Sequence, residues 1–265
     1  MLSFITWDWD PTFFSIGSLE IRYYGLCWAL SFYLSYVIVK KMVVREGVDE
    51  KLMDAFLYAI LIGAVLGARL GHVFFYDWSY YQEHLGEILN IRQGGLASHG
   101  GALGVLLGAW WFSKYKVKKS MLWTLDKISP ASALAAVLIR LGNFFNSEII
   151  GDPTGSDYGV VFAQLGESFP RHPAQLYEAS AYLVLFGFLM WMYYSKKAYL
   201  KEGLLFGLFL VGTFTARFFV EFVKVSQGGF EENLGADLST GQWLSFPFIA
   251  VGLYYWLRAS RETPA

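Results

Sequence analysis

Cysteine occurs once in the 265 residues, at Cys27. A single thiol excludes an intrachain disulfide and a thiolate metal cluster, and it leaves the redox compartment unread. Charge is scarce as well: Asp, Glu, Lys and Arg make up 16% of the chain, against about 25% in ordinary soluble domains. With a net charge of -1 and no clustered basic face, nucleic acid is not an expected partner. Met1 to Gly17 contains no Lys or Arg, only Asp8 and Asp10 among aromatic residues, the reverse of a signal-peptide leader. That stretch reads instead as a short amphipathic segment at a membrane interface. No G-x-S-x-G elbow, H-E-x-x-H zinc site, Walker loop or dinucleotide G-x-G-x-x-G occurs, which sets aside the hydrolases, zincins, ATPases and dehydrogenases that carry them. Cys27 sits among apolar neighbours with no partner to activate it, so it reads as a packing residue.

What is abundant is apolar surface. Hydrophobic residues reach 55% and the mean hydropathy is +0.38, which points into a bilayer. A spanning helix needs about 20 mostly apolar residues. Such runs recur at Tyr23 to Val43, Leu52 to Tyr76, Ser98 to Tyr115, Met121 to Asn146, Pro173 to Tyr194, Gly203 to Lys224 and Gly241 to Leu257. The expected fold is therefore an all-α integral membrane protein of about seven transmembrane helices, one domain over residues 1–265. A six-span reading stays open, because the third run is short and the fourth opens with Asp126, Lys127 and Pro130.

Lysine and arginine set the orientation. Lys40, Lys41, Arg45 and Lys51 follow the first span, and Lys114, Lys116, Lys118 and Lys119 follow the third. Lys196, Lys197 and Lys201 follow the fifth, and Arg258 and Arg261 the seventh. The other loops hold Arg92 and Arg171 with acids such as Asp77, Glu83, Glu87, Asp152, Asp157, Glu167, Glu231, Glu232 and Asp237. The N-terminus is thus expected outside and the C-terminus in the cytoplasm, with outer loops 77–97 and 147–172 forming a small cap.

Polar groups at membrane depth need a partner or a purpose, because each costs at least about 2.5–3.5 kcal/mol on insertion scales. The spans keep Arg69, His99, Arg140, Asn143, Asn146, Gln175, Glu178, Arg217 and Glu221. Arg217 and Glu221 are four apart, on one helical face, and read either as a structural ion pair or as part of a site. Arg69 and Arg140 add positive charge, and a guanidinium fork matches phosphate oxygens in two-point geometry. A phosphate-bearing ligand suits that excess. An anion transporter and a glycine-packed assembly protein are the rival classes; the first more readily shows paired interrupted spans, and the second has no need of such arginines.

The segment Arg140-Leu-Gly-Asn-Phe-Phe-Asn-Ser-Glu-Ile-Ile-Gly151 resembles the signature of the bacterial phosphatidylglycerol:prolipoprotein diacylglyceryl transferases. Further similar pieces follow in family order: Arg22-Tyr-Tyr-Gly25, Gly67-Ala-Arg-Leu-Gly71, Ser98-His-Gly-Gly101, Arg171-His-Pro-Ala-Gln-Leu-Tyr-Glu178, Arg217-Phe-Phe-Val-Glu221 and Gly241-Gln242. Ile139 departs from the usual glycine, and the stretch Asp152 to Pro170 is shorter than in some members. The resemblance implies transfer of the diacylglyceryl group of phosphatidylglycerol to the lipobox cysteine thiol of a preprolipoprotein signal peptide, with release of glycerol phosphate. It implies a protein of the bacterial inner membrane, in contact with membrane lipid, its site facing the periplasm, with no cofactor and no metal. The nucleophile then belongs to the substrate. By the same resemblance Arg140 and Arg217 hold the phosphate, and His99 is either a general base or a headgroup contact. Glu148 orients an arginine or the thiol, Glu221 fixes Arg217, and Tyr24, Asn143 and Gly151 bind substrate. Arg69 and Gln175 are further substrate-binding candidates alongside His172, Tyr177, Glu178 and Gln242, for all of which seating the outer loop is an equal explanation.

Overall fold

The computed structural model describes residues 4–17, 19–91, 94–225 and 238–261. Arg92, Glu231, Glu232 and Asp237, which entered the loop-charge argument, lie outside the described residues. Helices dominate: α1 (Tyr23–Arg45), α2 (Met53–Phe75), the short α3 (Trp78–Tyr81), α4 (Ser98–Trp111), α5 (Met121–Phe145), α6 (Ala174–Ser195), α7 (Leu204–Val220) and α8 (Thr240–Arg261). Among the described residues, five helices are long and apolar enough to cross a membrane, at Tyr23–Arg45, Glu50–Phe75, Met121–Phe145, Ala174–Ser195 and Leu204–Val223.

The fold is not purely helical. Strands β1 (Ile5–Trp7), β2 (Thr12–Ile16), β3 (Leu19–Arg22) and β4 (Val160–Phe162) form two small two-stranded sheets, β1 beside β4 in parallel and β2 beside β3 antiparallel. The N-terminal aromatic stretch is therefore extended. Its clustered apolar residues obscured the period-2 signal, and the partner of β1 lies some 150 residues further on.

The chain divides into two compact units, one of residues 1–39 with 128–265 and one of residues 40–127, so α1 and α5 each begin in one and end in the other. In the smaller unit α2 and α4 pack antiparallel on glycine. A Cβ at Gly63 would lie 2.3 Å from the Gly104 carbonyl oxygen, and one at Gly67 2.3 Å from that of Gly100. Backbones approach this closely only where side chains are absent. A π-helical turn, Phe112–Val117, prolongs α4. The first turns of α5 are held by charge: buried Lys127 pairs with Glu46 at 2.9 Å, and the Trp123 indole donates to the same carboxylate at 2.6 Å. In the larger unit α7 and α8 meet at Gly207 and Gly252, where each Cβ would strike the other helix's backbone within 3 Å. Ser35 of α1 donates to the Ala131 carbonyl of α5 at 3.2 Å.

Candidate functional site

In the larger unit the polar residues gather where α5, α6, α7 and α8 end or begin. Arg140, one turn before the end of α5, forms an ion pair through Nε with Glu178 Oε2, and its Nη1 donates to Asn143 Oδ1 at 3.2 Å. Glu178 is fully buried, so this carboxylate can exist as an anion only beside a cation. The Tyr182 hydroxyl reaches Glu178 Oε1 at 3.5 Å and lies within electrostatic range of both Arg140 and Arg217. Tyr24 of α1 packs on the α5 face that Gly142 leaves open, its Cδ2 2.9 Å from where a Cβ would stand. Cys27 packs on the same glycine.

Past α5 the chain turns sharply. Ser147 and Ile149 both adopt positive φ, at 54° and 56°, and for a β-branched residue this is an outlier. The strained turn holds Glu148 between two amides, Asn143 Nδ2 at 3.4 Å and Asn146 Nδ2 at 3.1 Å. Gln175, without exposed surface, donates to the Glu148 carbonyl at 2.5 Å, while its Oε1 finds no hydrogen-bond partner among the described residues. Gly151 is a crossing point of three segments. Its N–H donates to the His172 carbonyl at 2.9 Å, and it bridges to Lys224. Arg171 clasps Glu167 through two bonds of 2.6 Å and reaches the Gly151 carbonyl at 3.2 Å. The hydrogen bond to Glu167 holds the Arg171 guanidinium above its ordinary range. His172 Nδ1 lies 3.2 Å from the Tyr177 hydroxyl, itself 2.6 Å from that of Tyr158.

At the end of α7 the Arg217 Nε stands 3.7 Å from Glu221 Oε1. Sequence reasoning overlooked two neighbours of that carboxylate: Lys224 Nζ at 2.6 Å from Oε1, and the Ser239 hydroxyl, which donates to Oε2 at 3.0 Å. Lys224 looked like the last residue of a span, and Ser239 belongs to a different helix start. Gln242 forms a reciprocal cap with Ser239: its N–H donates to Ser239 Oγ at 3.2 Å, and its Oε1 accepts from the Ser239 N–H at 2.9 Å. That satisfies the start of α8, and the Gln242 Nε2 also donates to the Phe218 carbonyl of α7 at 3.3 Å, so Gln242 ties the two helix ends together.

Two expected site residues belong to the smaller unit. His99, in the first turn of α4, is exposed and has no hydrogen-bond or ion-pair partner among the described residues. Arg69 has no exposed surface. Its nitrogens donate to the carbonyls of Glu87 at 2.8 Å, Ile88 at 2.6 Å, Gly94 at 2.8 Å and Gly95 at 3.3 Å, and its guanidinium lies over the Tyr81 ring. This is the loop-seating arrangement, with the fork closed on backbone.

Long apolar helices and a buried arginine–carboxylate cluster at their ends define a multi-pass membrane protein with a site suited to an anionic group. The family described as prolipoprotein diacylglyceryl transferase matches residues 11–258. The chain belongs to that family. It is 44% identical to a phosphatidylglycerol–prolipoprotein diacylglyceryl transferase of Chloroherpeton thalassium over 95% of this chain and 92% of the relative. A protein of the same name from Tolumonas auensis is 41% identical over 97% of this chain and 98% of its own length. One from Bacteroides fragilis is 41% identical over 96% and 95%.

Proposed function

We propose that this chain transfers the diacylglyceryl group of phosphatidylglycerol to the lipobox cysteine of a preprolipoprotein. The substrate thiolate attacks the glycerol carbon that bears the phosphate; a C–S bond forms, the C–O bond to phosphate breaks, and glycerol phosphate leaves. The observation that carries this reading is the pairing at the helix ends, within a chain of this family. Arg140 is anchored by Glu178, while Arg217 keeps 36% of its side-chain surface exposed and its Nε lacks a hydrogen bond among the described residues. A guanidinium in that state accepts a phosphate ester and stabilises the charge that grows as the C–O bond breaks. Asn143, Glu148 and Tyr24 position the substrates beside it, and Gly151 and Gln175 hold the turn that carries Glu148. His99 takes the thiol proton or contacts the headgroup.

The chain crosses the inner membrane seven times, with the N-terminus and loops 77–97 and 147–172 on the periplasmic side, where the site opens, and the C-terminus in the cytoplasm. Strand pairing supports the count. Residues 5–7 pair with residues 160–162, so an even number of crossings must separate them. Helices α1, α2 and α5 supply three. The fourth is Ser98–Val117, whose 14 α-helical and 6 π-helical residues lie antiparallel on the apolar α2. Gly151 likewise bridges to Lys224 across the two crossings of α6 and α7.

Incubation of the purified protein with phosphatidylglycerol and a lipobox peptide, read by mass spectrometry, tests the reading. A diacylglyceryl thioether on the cysteine is expected; Arg217→Ala should abolish it while the protein stays folded, and so should Arg140→Ala combined with Glu178→Gln, which leaves no buried carboxylate stranded. Absence of the thioether refutes the reaction; normal turnover in either variant refutes the phosphate assignment.

A further inference from the structure

Arg217 in the last turn of α7 and Glu221, which caps that helix, stand four apart, a spacing at which a guanidinium and a carboxylate normally close into contact. Here they do not. Arg217 Nε is 3.7 Å from Glu221 Oε1, and Lys224 Nζ occupies that oxygen at 2.6 Å. The Ser239 hydroxyl takes Oε2 at 3.0 Å. The carboxylate is pressed against the first turn of α8, where a Cβ at Gly241 would fall 2.5 Å from it. Lys224 is itself fixed: it is buried, and its backbone bridges to Gly151. Arg217 keeps 36% of its side-chain surface exposed, whereas Glu221 and Lys224 keep 7% and 5%.

We propose that Lys224 is a positioning residue for the reaction: by taking the carboxylate of Glu221 it keeps the Arg217 guanidinium open for the phosphate ester. The inference rests on the phosphate role of Arg217 proposed above. A closed Arg217–Glu221 fork would have to be broken by every incoming lipid, in a setting of low dielectric where such pairs are strong. Lysine suits the holding task, because its ammonium is a point charge that satisfies one oxygen and leaves the other to a hydroxyl. Two cations then share one carboxylate, and the uncompensated positive charge sits on the more exposed of the two.

The test is steady-state transfer to a lipobox peptide with phosphatidylglycerol varied, for the intact protein and four variants, each checked for its melting midpoint in the same detergent. Lys224→Met should lower kcat/KM about tenfold to a hundredfold, the range for loss of one charge-assisted hydrogen bond. Lys224→Arg should return it to within about threefold of the parent. The double variant Glu221→Gln/Lys224→Met leaves no buried charge unpaired and removes the competitor for Arg217, so it should be more active than Lys224→Met alone. A Lys224→Met enzyme within about twofold of the parent overturns the proposal, as does a double variant no better than the single one. If Lys224→Met fails to fold, the double variant decides, since activity near that of Arg217→Ala overturns the proposal. Normal transfer by Arg217→Ala refutes the phosphate role itself, whatever Lys224 does.

Discussion

Gly151→Ala is the substitution whose consequences the structure fixes most closely. Gly151 has an ordinary φ, so the glycine is required by space and not by backbone conformation. An added Cβ would meet the His172 carbonyl oxygen at 2.4 Å, the Val223 carbonyl oxygen at 2.5 Å and His172 Cβ at 2.6 Å. Ordinary contact begins near 3.4 Å, so the neighbours must retreat by about 1 Å. Two of them are backbone atoms and have no rotamer to escape into. The retreat stretches the bonds that tie the three segments together: Gly151 N–H to His172 O at 2.9 Å, His172 N–H to Asp152 O at 3.0 Å and Asp152 N–H to Val223 O at 2.9 Å. Overpacking costs about 1–3 kcal/mol and each of the three hydrogen bonds about 0.5–1.5 kcal/mol if lost, so a loss of roughly 2.5–7.5 kcal/mol is expected. Glu148 and Lys224 ride on the same segments, and transfer should fall with stability. Melting in detergent followed by intrinsic fluorescence, paired with the mass-spectrometric transfer assay, measures both. An unchanged midpoint with full transfer would refute the packing argument. An unchanged midpoint with transfer lost would move Gly151 from packing to direct substrate contact.

Arg69→Lys replaces a fork seated on four carbonyls by one ammonium, and should cost about 2–4 kcal/mol while speeding hydrogen exchange over residues 85–91. Glu178→Ala strands the Arg140 charge and should destabilise by about 3–5 kcal/mol, whereas Glu178→Gln should cost less, both read from melting midpoints. His99→Asn separates the two roles of that histidine: a base role removes a limb of the pH–rate profile, and a headgroup role raises KM for the lipid with the profile unchanged.

The long apolar runs were legible because a bilayer demands them, and the five helices that are apolar enough to cross begin and end within a few residues of the runs. The third and seventh runs were legible as helices too. The third is short, with 14 α-helical residues, and the π-helical turn that extends it leaves no mark in hydropathy. The seventh has 22 residues but carries polar groups at both ends, from Thr240 and Gln242 to Arg258 and Arg261, and is less apolar than the five. The strands were not legible. The β1–β4 pairing joins a segment of aromatic residues to one buried in the loop between α5 and α6, and neither alternates cleanly. In the site, sequence yielded the charges but not their pairing. Arg140 and Glu178 lie on different helices, 38 positions apart, and nothing local marks them as partners. Arg217 and Glu221 were paired from their spacing, yet Lys224 and Ser239, which hold the carboxylate more closely, sit on a turn and a helix start where spacing says nothing.

That difference changes where affinity for a phosphate can arise. The sequence presents three arginines at membrane depth as one excess of positive charge. In the structure they are in three different states. Arg69 has its donors closed on carbonyl oxygens, and to turn toward a ligand it would have to release Glu87, Ile88, Gly94 and Gly95. Arg140 is neutralised by a carboxylate with no exposed surface, so it contributes a fixed direction more than a net charge. Arg217 alone stands at 3.7 Å from a carboxylate that two other groups already hold. An anion approaching Arg217 displaces no hydrogen bond of its Nε, and one approaching Arg69 displaces several. On the proposed phosphate role, the capacity to bind the ester lies in how the arginines are paired, and a count of arginines would place it wrongly.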